Sequence, residues 1–258
     1  GGGPAQPVDL VRMTADQSDL ALTIQGAGDA TGHRASDDEL ARLQVIVRLV
    51  VGGEEISLFL LRWEVAGAPG EGGLRHYKAS YRPFDSAPNA WMPLCVGGAG
   101  QPRSVFLGGM RVDGVTAEVT ADADATTMAC ETGAIDTCMV WGYTPWNPRA
   151  RSNDAGNYLF GSCLQAKRAA YFVGLGDPKS YTQGGTPIFL RDPFGIQTSS
   201  ADPLEALWSP RGAECINPDR LRRPELRGTL PIPPSVPRCD TPPRWGPLGK
   251  IAVKPGLP

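Results

Sequence analysis

Hydrophobic and polar positions alternate through the first half of the chain in runs too short for helices. Leu43-Gln-Val45-Ile-Val47-Arg-Leu49-Val-Val51 and Ile56-Ser-Leu58-Phe-Leu60 flank Gly52-Gly53-Glu54-Glu55, the two arms and turn of a β-hairpin. Leu20-Ala-Leu22-Thr-Ile24, Tyr77-Lys-Ala-Ser-Tyr81, Val105-Phe-Leu107 and Val115-Thr-Ala-Glu-Val119 predict further strands, with Asp113-Gly114 as the turn between Met110-Arg-Val112 and the last of them. The period lengthens once. One helix is predicted from about Asp154 to Tyr171, capped by Asn153 or Asp154, with Leu159, Cys163, Ala166 and Ala170 on a single inward face. Beyond Gly174 turn residues dominate, interrupted by short strands at Pro187-Ile-Phe-Leu190 and Ala206-Leu-Trp208. From Thr229 onward Pro231, Pro233, Pro234, Pro237, Pro242, Pro243 and Pro247 exclude regular structure, so the tail is expected to run extended, near polyproline II.

This pattern specifies an α+β fold, mainly β, with short antiparallel strands, one packed helix and many Gly/Pro loops. Its expected organisation is a β-rich region over 1–88, a domain over 89–240 and a Pro-rich arm over 241–258. Composition agrees: among 258 residues 41% are hydrophobic, enough for a real core, while Gly 32 and Pro 25 demand many turns. A net charge of −2 and a pI near 5.8 argue against a nucleic-acid partner, which requires a basic face. The one dense basic run, Arg220-Leu-Arg222-Arg223, reads as solvated surface. No apolar stretch of about 18 residues is present to span a bilayer as a helix. Gly1-Gly2-Gly3-Pro4 reads as a processed terminus, from which an export signal has already been removed.

Six cysteines, Cys95, Cys130, Cys138, Cys163, Cys215 and Cys239, have spacings that suit neither a zinc ribbon nor a Cys-x-x-Cys redox motif, and they are expected to form disulfides. Cys130 and Cys138 enclose a loop that a local bridge can close, and Cys215 and Cys239 flank the Pro-rich passage. Cys95 with Cys163 would complete that set, although six cysteines allow about fifteen connectivities. Three bridges place the chain in an oxidising compartment, the periplasm or cell exterior.

Four blocks follow one another in a fixed order: Trp91-Met-Pro93-Leu94-Cys95, Cys130 to Trp146, the helix with Cys163, and Glu205-Ala-Leu-Trp208-Ser-Pro-Arg-Gly212-Ala213-Glu-Cys215. In that order they resemble the ADYC-domain proteins, a bacterial family typically found behind export signals in myxobacteria and their relatives. The resemblance covers roughly residues 89 to 220, with a weaker echo in Gly26-Ala-Gly28-Asp29-Ala30-Thr-Gly32. It implies export and brings no assigned activity. Where the family reads Ala-Asp-Tyr-Cys this chain has Ala169-Ala170-Tyr171-Phe172, and where Ser-His-Thr is expected it has Ser180-Tyr181-Thr182. Either chemistry carried by those Asp, Cys and His positions is lost here, or the positions are structural and Phe172 fills the space of a cysteine.

Catalytic candidates are few. The two histidines, His33 and His76, stand in no recognisable motif, no Gly-x-Ser-x-Gly elbow exists, and Ser162 falls inside the helix. Asp177, Asp192 and Glu205 are the carboxylates available for glycoside hydrolysis, though Asp177-Pro and Asp192-Pro are turn dipeptides first. Asp113, Asp122 and Asp124 offer oxygens for calcium without an EF-hand pattern. No Gly-rich loop suits a nucleotide, and neither cofactor nor metal is expected. Trp141, Tyr143 and Trp146 around Pro145, with Trp245 in the arm, are candidate anchors for a protein partner or a carbohydrate. The expectation is a non-catalytic exported component of an envelope or extracellular assembly, docking by its Pro-rich tail. The alternatives are an extracellular carboxylate-dependent glycoside hydrolase or a carbohydrate-binding module.

Overall fold

The structure is a computed structural model that describes residues 11–15, 22–26, 44–51, 54–68, 74–95, 103–131, 133–200, 203–239, 244–247 and 249–256. Among these residues it is mainly β, with two α-helices and three disulfides. The chain divides into two compact units, one formed by residues 1–114 and 119–137 and the other by 115–118 and 138–258.

The first unit is built on strands β1 (Val11–Ala15), β2 (Leu22–Gly26), β3 (Gln44–Val51), β4 (Glu54–Val65), β5 (Tyr77–Pro83), β6 (Met92–Pro93), β7 (Ser104–Val112) and β8 (Val119–Cys130). The hairpin around Gly52-Gly53 forms as the alternation predicts, β3 pairing antiparallel with β4 from Gln44↔Arg62 to Val51↔Glu54. The sheet order is β4-β3-β1-β2-β8-β7-β5-β6, and a further β4–β5 pairing returns it on itself, so seven strands form a closed ring with β6 added at β5. Closure removes the free edges that an open sheet exposes. All pairings are antiparallel except β1 with β3. Leu61, Trp63, Tyr77, Ala79 and Met128 form a core cluster, joined by Tyr81, Leu94 and Phe106. Phe106 meets Trp63 and Tyr77 edge-on at 5.4 and 4.9 Å, the geometry favoured by the ring quadrupoles. Residues Val115–Glu118, expected in a strand, instead form the loop of the β7–β8 hairpin. These residues belong to the second unit, within which the Val115 carbonyl accepts from Arg168 and that of Thr116 from Gln165.

A second helix, α1 (Ala134–Val140), was not legible in the sequence. The longer helix, α2 (Asn153–Arg168), begins one residue before the predicted start and ends at Arg168 rather than Tyr171. Ser152, not Asn153 or Asp154, caps it by accepting the Ala155 amide at 3.2 Å. Ala169 closes it in the left-handed region (φ 52°). Gly156 lets α2 lie directly on the 141–146 loop, because a Cβ there would stand 2.2 Å from the Pro145 carbonyl oxygen.

Strands β9 (Ile188–Arg191), β10 (Ala206–Ser209), β11 (Gly212–Ile216) and β12 (Ile251–Pro255) form an antiparallel sheet in the order β11-β10-β12-β9. The expectation that prolines exclude regular structure from Thr229 onward therefore fails at Ile251-Ala-Val253, an apolar triplet whose three residues are all 0% exposed. Burial between two strands outweighs the proline-rich composition around it. One sheet face carries Ala206, Trp208, Ile216, Ile251 and Val253 and packs on α2. The other carries Leu207, Cys215 and Ala252, with Leu204 in the same cluster, and is covered by Cys239 and Trp245.

The disulfides pair Cys95–Cys130, Cys138–Cys163 and Cys215–Cys239. The third agrees with the sequence reading; the local Cys130–Cys138 bridge and the Cys95–Cys163 pair do not form. The reason is α1: Cys130 ends β8 and faces Cys95, while Cys138 lies on the helix and meets Cys163 of α2 with Cα atoms 5.9 Å apart.

Candidate functional site

The Ala169-Ala170-Tyr171-Phe172 block marks the end of α2, where the chain must reverse. The Ala169 and Ala170 amides return to the Ala166 and Gln165 carbonyls, and Tyr171 is delivered into the second unit at 2% exposure. Its hydroxyl donates to Glu205 Oε1 at 2.7 Å, and its ring stacks on Trp208 with centroids 5.1 Å apart. Arg222 Nε and Nη2 grip Glu205 from the other side at 2.9–3.1 Å, the Arg222 amide adds a bond at 2.8 Å, and Nη1 reaches the Ala166 carbonyl. The Glu205 and Arg222 side chains are 0% and 1% exposed, and the guanidinium lies over the Trp208 ring. Burial, then the neighbouring Glu205 charge, pushes the Tyr171 phenol far above its ordinary range, so it remains a donor. Gly212 closes the site from β11: it adopts φ 106°, and a Cβ there would meet the Tyr171 carbonyl oxygen at 2.6 Å. Arg222 was read as solvated surface and is instead buried. A basic run carries no mark of which member has a buried partner.

Asp192 organises a second cluster. Its Oδ1 accepts the amides of Phe194 and Ile196, and its Oδ2 accepts the Gln197 amide and the Tyr143 hydroxyl. Tyr143 is fully buried, and burial first, then Asp192, raises its phenol well above the usual value. Gln197 Nε2 reaches the Trp141 carbonyl, and Arg149 reaches that of Gly195. The Trp141–Trp146 and Asp192–Gln197 blocks are thus one structural cluster. They do not make an aromatic row, however. Tyr143 is inaccessible, Trp141 is half-buried under Lys167, Trp146 is 45% exposed, and Trp245 lies on the outer face of the second sheet.

The remaining candidates have internal partners. Asp177 accepts the Lys179 amide and the Tyr181 hydroxyl, and Ser180, Tyr181 and Thr182 all bond the Arg168 carbonyl. Ser162 donates to the carbonyl of Tyr158, one turn back. His33 lies outside the described residues. In the first unit His76 Nε2 meets Asp136 Oδ1 at 2.8 Å, both buried, a pair the sequence reading missed across 60 positions. Burial raises the Asp136 carboxyl above its ordinary range while His76 opposes the shift. The buried Ser104 hydroxyl donates to the Tyr77 carbonyl, so it does not complete a triad with this pair. Asp122 is paired with Arg111, and among the described residues no group of three His, Cys, Asp or Glu stands together to hold a metal ion. Among those residues, too, no helix is long and apolar enough to cross a membrane.

No curated protein and no solved structure matches the chain. A family model described as the ADYC domain matches residues 36–222, well over half of the chain, starting upstream of the expected 89 and ending on the arginine that grips Glu205. With Tyr171, Glu205, Trp208 and Arg222 gathered in one buried cluster inside that span, the chain belongs to the ADYC-domain family.

Proposed function

We propose that this protein is a non-catalytic, exported component of an envelope or extracellular assembly. The observation that carries the reading is the saturation of its conspicuous carboxylates. Glu205 is sealed under Tyr171 and Arg222, and both oxygens of Asp192 are occupied by four internal donors. A carboxylate held in this way lacks the access to substrate and water that glycoside hydrolysis requires of both members of its pair. Three disulfides support a life in an oxidising compartment.

Docking is assigned to the Pro-rich loop rather than to a free tail. Residues 231–239 leave the turn at Pro224–Leu226, carry exposed Pro231, Pro234 and Pro237, and return through the Cys215–Cys239 bridge towards β12. A loop tethered at both ends presents its prolines with little ordering cost left at docking. Native mass spectrometry of the protein taken gently from its source tests the reading, with a variant in which residues 231–236 are replaced by Gly/Ser. The expected result is a complex in the natural protein, lost in the variant while its thermal unfolding is unchanged. A monomer in both preparations overturns it.

A further inference from the structure

On the outer face of the second sheet, a cavity of about 520 Å³ is lined by Arg191, Asp192, Pro193, Gly195, Thr198 and Trp245. We propose that it binds a carboxylate-bearing sugar residue of an acidic polysaccharide, a site distinct from the Pro-rich docking loop. Strand register places its polar groups. Arg191 pairs with Thr198 on one side and with Ala252 on the other, so its guanidinium and the Thr198 hydroxyl project from the face that Ala252 presents to Trp245. Trp245 is fixed on that face against Leu204, Leu207, Cys215 and Ala252, and the rest of its indole lines the cavity. A half-buried indole beside a guanidinium and a hydroxyl provides a stacking platform for a pyranose ring and a fork for its carboxylate.

Charge favours an anion over a neutral sugar. Arg191 is exposed and forms no ion pair among the described residues. Around the same loop Arg149 bonds the Gly195 carbonyl and Arg151 lies over the Phe194 ring, both exposed and neither opposed by a carboxylate at ion-pair distance among those residues. The one acid lining the cavity, Asp192, is 5% exposed and its oxygens point at three amides and a phenol. Glu214, on the opposite edge strand β11, is paired with Lys250. One guanidinium in the cavity lining and two more on the adjoining loop thus outnumber a single buried carboxylate whose oxygens are turned inward, and this excess of positive charge draws acidic ligands to the opening.

Titration calorimetry of the whole protein with trigalacturonate, and with a neutral trisaccharide of the same linkage, tests the site at low and at physiological salt. The Trp245 indole N–H resonance gives an independent readout of where the ligand sits. The acidic trisaccharide is expected to bind, to weaken with salt, to move the Trp245 signal and to bind about tenfold more weakly to Arg191→Gln. Arg191 is a surface residue, so that variant keeps the fold, verified by its melting temperature. Absence of binding at millimolar trigalacturonate, equal affinity for the neutral sugar, or an unchanged affinity in Arg191→Gln overturns the proposal. Assembly through the Pro-rich loop is read by native mass alone, so either idea can fail without the other.

Discussion

Replacing Arg222 by Met tests how the second unit is held together. Methionine keeps most of the apolar stem but removes the three guanidinium bonds to Glu205 and the one to Ala166. Glu205 would keep the Tyr171 hydroxyl and the Arg222 backbone amide while its charge, 0% exposed, lost its counter-charge. Breaking such a buried pair from one side costs about 3–5 kcal/mol. That is a large fraction of the roughly 5–15 kcal/mol that holds a typical domain folded. With a urea m-value of about 3 kcal/mol/M, the midpoint falls by about 1 M or more. The assay is equilibrium urea unfolding without reductant, followed by tryptophan fluorescence. A double variant, Glu205→Met with Arg222→Met, removes both charges at once and is expected to recover most of the loss, because two well-packed apolar side chains leave no charge unpaired. Tyr171→Phe, which removes only a hydrogen bond to a charged group, is expected to cost about 1.5–3 kcal/mol. An Arg222→Met loss below about 1 kcal/mol, or a double variant no better than the single one, would refute the account of Glu205 as a desolvated charge whose stability depends on Arg222.

Removing residues 251–258 takes out an inner strand, so the truncated chain is expected to lose the cooperative unfolding transition of the second unit and to aggregate; a soluble product with native near-ultraviolet dichroism would contradict that. Non-reducing peptide mapping should recover Cys95 linked to Cys130 and Cys138 linked to Cys163. Changing Cys138 and Cys163 together to Ala should cost about 3.5 kcal/mol through the entropy regained by the opened loop. Arg103 donates to both oxygens of Glu131 and holds its carboxyl down at about 2 instead of the ordinary 4.5. Because the folded value is the depressed one, this stabilisation is complete above about pH 4.5 and disappears as the pH falls towards about 2. The side chains are a third or more exposed, so solvent screening leaves about 1 kcal/mol, which Glu131→Gln should remove at pH 7 and not at pH 2.

The β3–β4 hairpin was legible because strict alternation and a Gly-containing turn act locally, and α2 because its apolar face repeats every three to four residues over sixteen positions. The helix α1 escaped because only seven residues, beginning just after Gly133, form it, and its burial rather than its periodicity sustains it. That omission misdirected the cysteine pairing, since without the helix Cys138 falls into the same loop as Cys130. The strand β12 escaped for the opposite reason: its three buried residues stand among prolines, and only the gap between β9 and β10 makes them a strand. The blocks Trp91–Cys95, Cys130–Trp146 and Glu205–Cys215 identified the family before any of their contacts were visible. Their roles were not visible, because Tyr171 meets Glu205 across 34 positions and Glu205 meets Arg222 across 17. No local pattern encodes such meetings.

The position of β12 also dictates when this molecule can finish folding. Ribosomes deliver β9, β10 and β11 first, but β9 and β10 are not neighbours; the place between them waits for Ile251–Pro255. Until those residues emerge, the sheet has two open edges and α2 has an incomplete floor. The Pro187 carbonyl, too, lacks the Gly256 amide that will join it. Closing the sheet over so long a separation is slow. A nascent chain arranged in this way holds its second sheet unfinished until residues 251–255 have been made, so the order of synthesis and the order of strands run against each other.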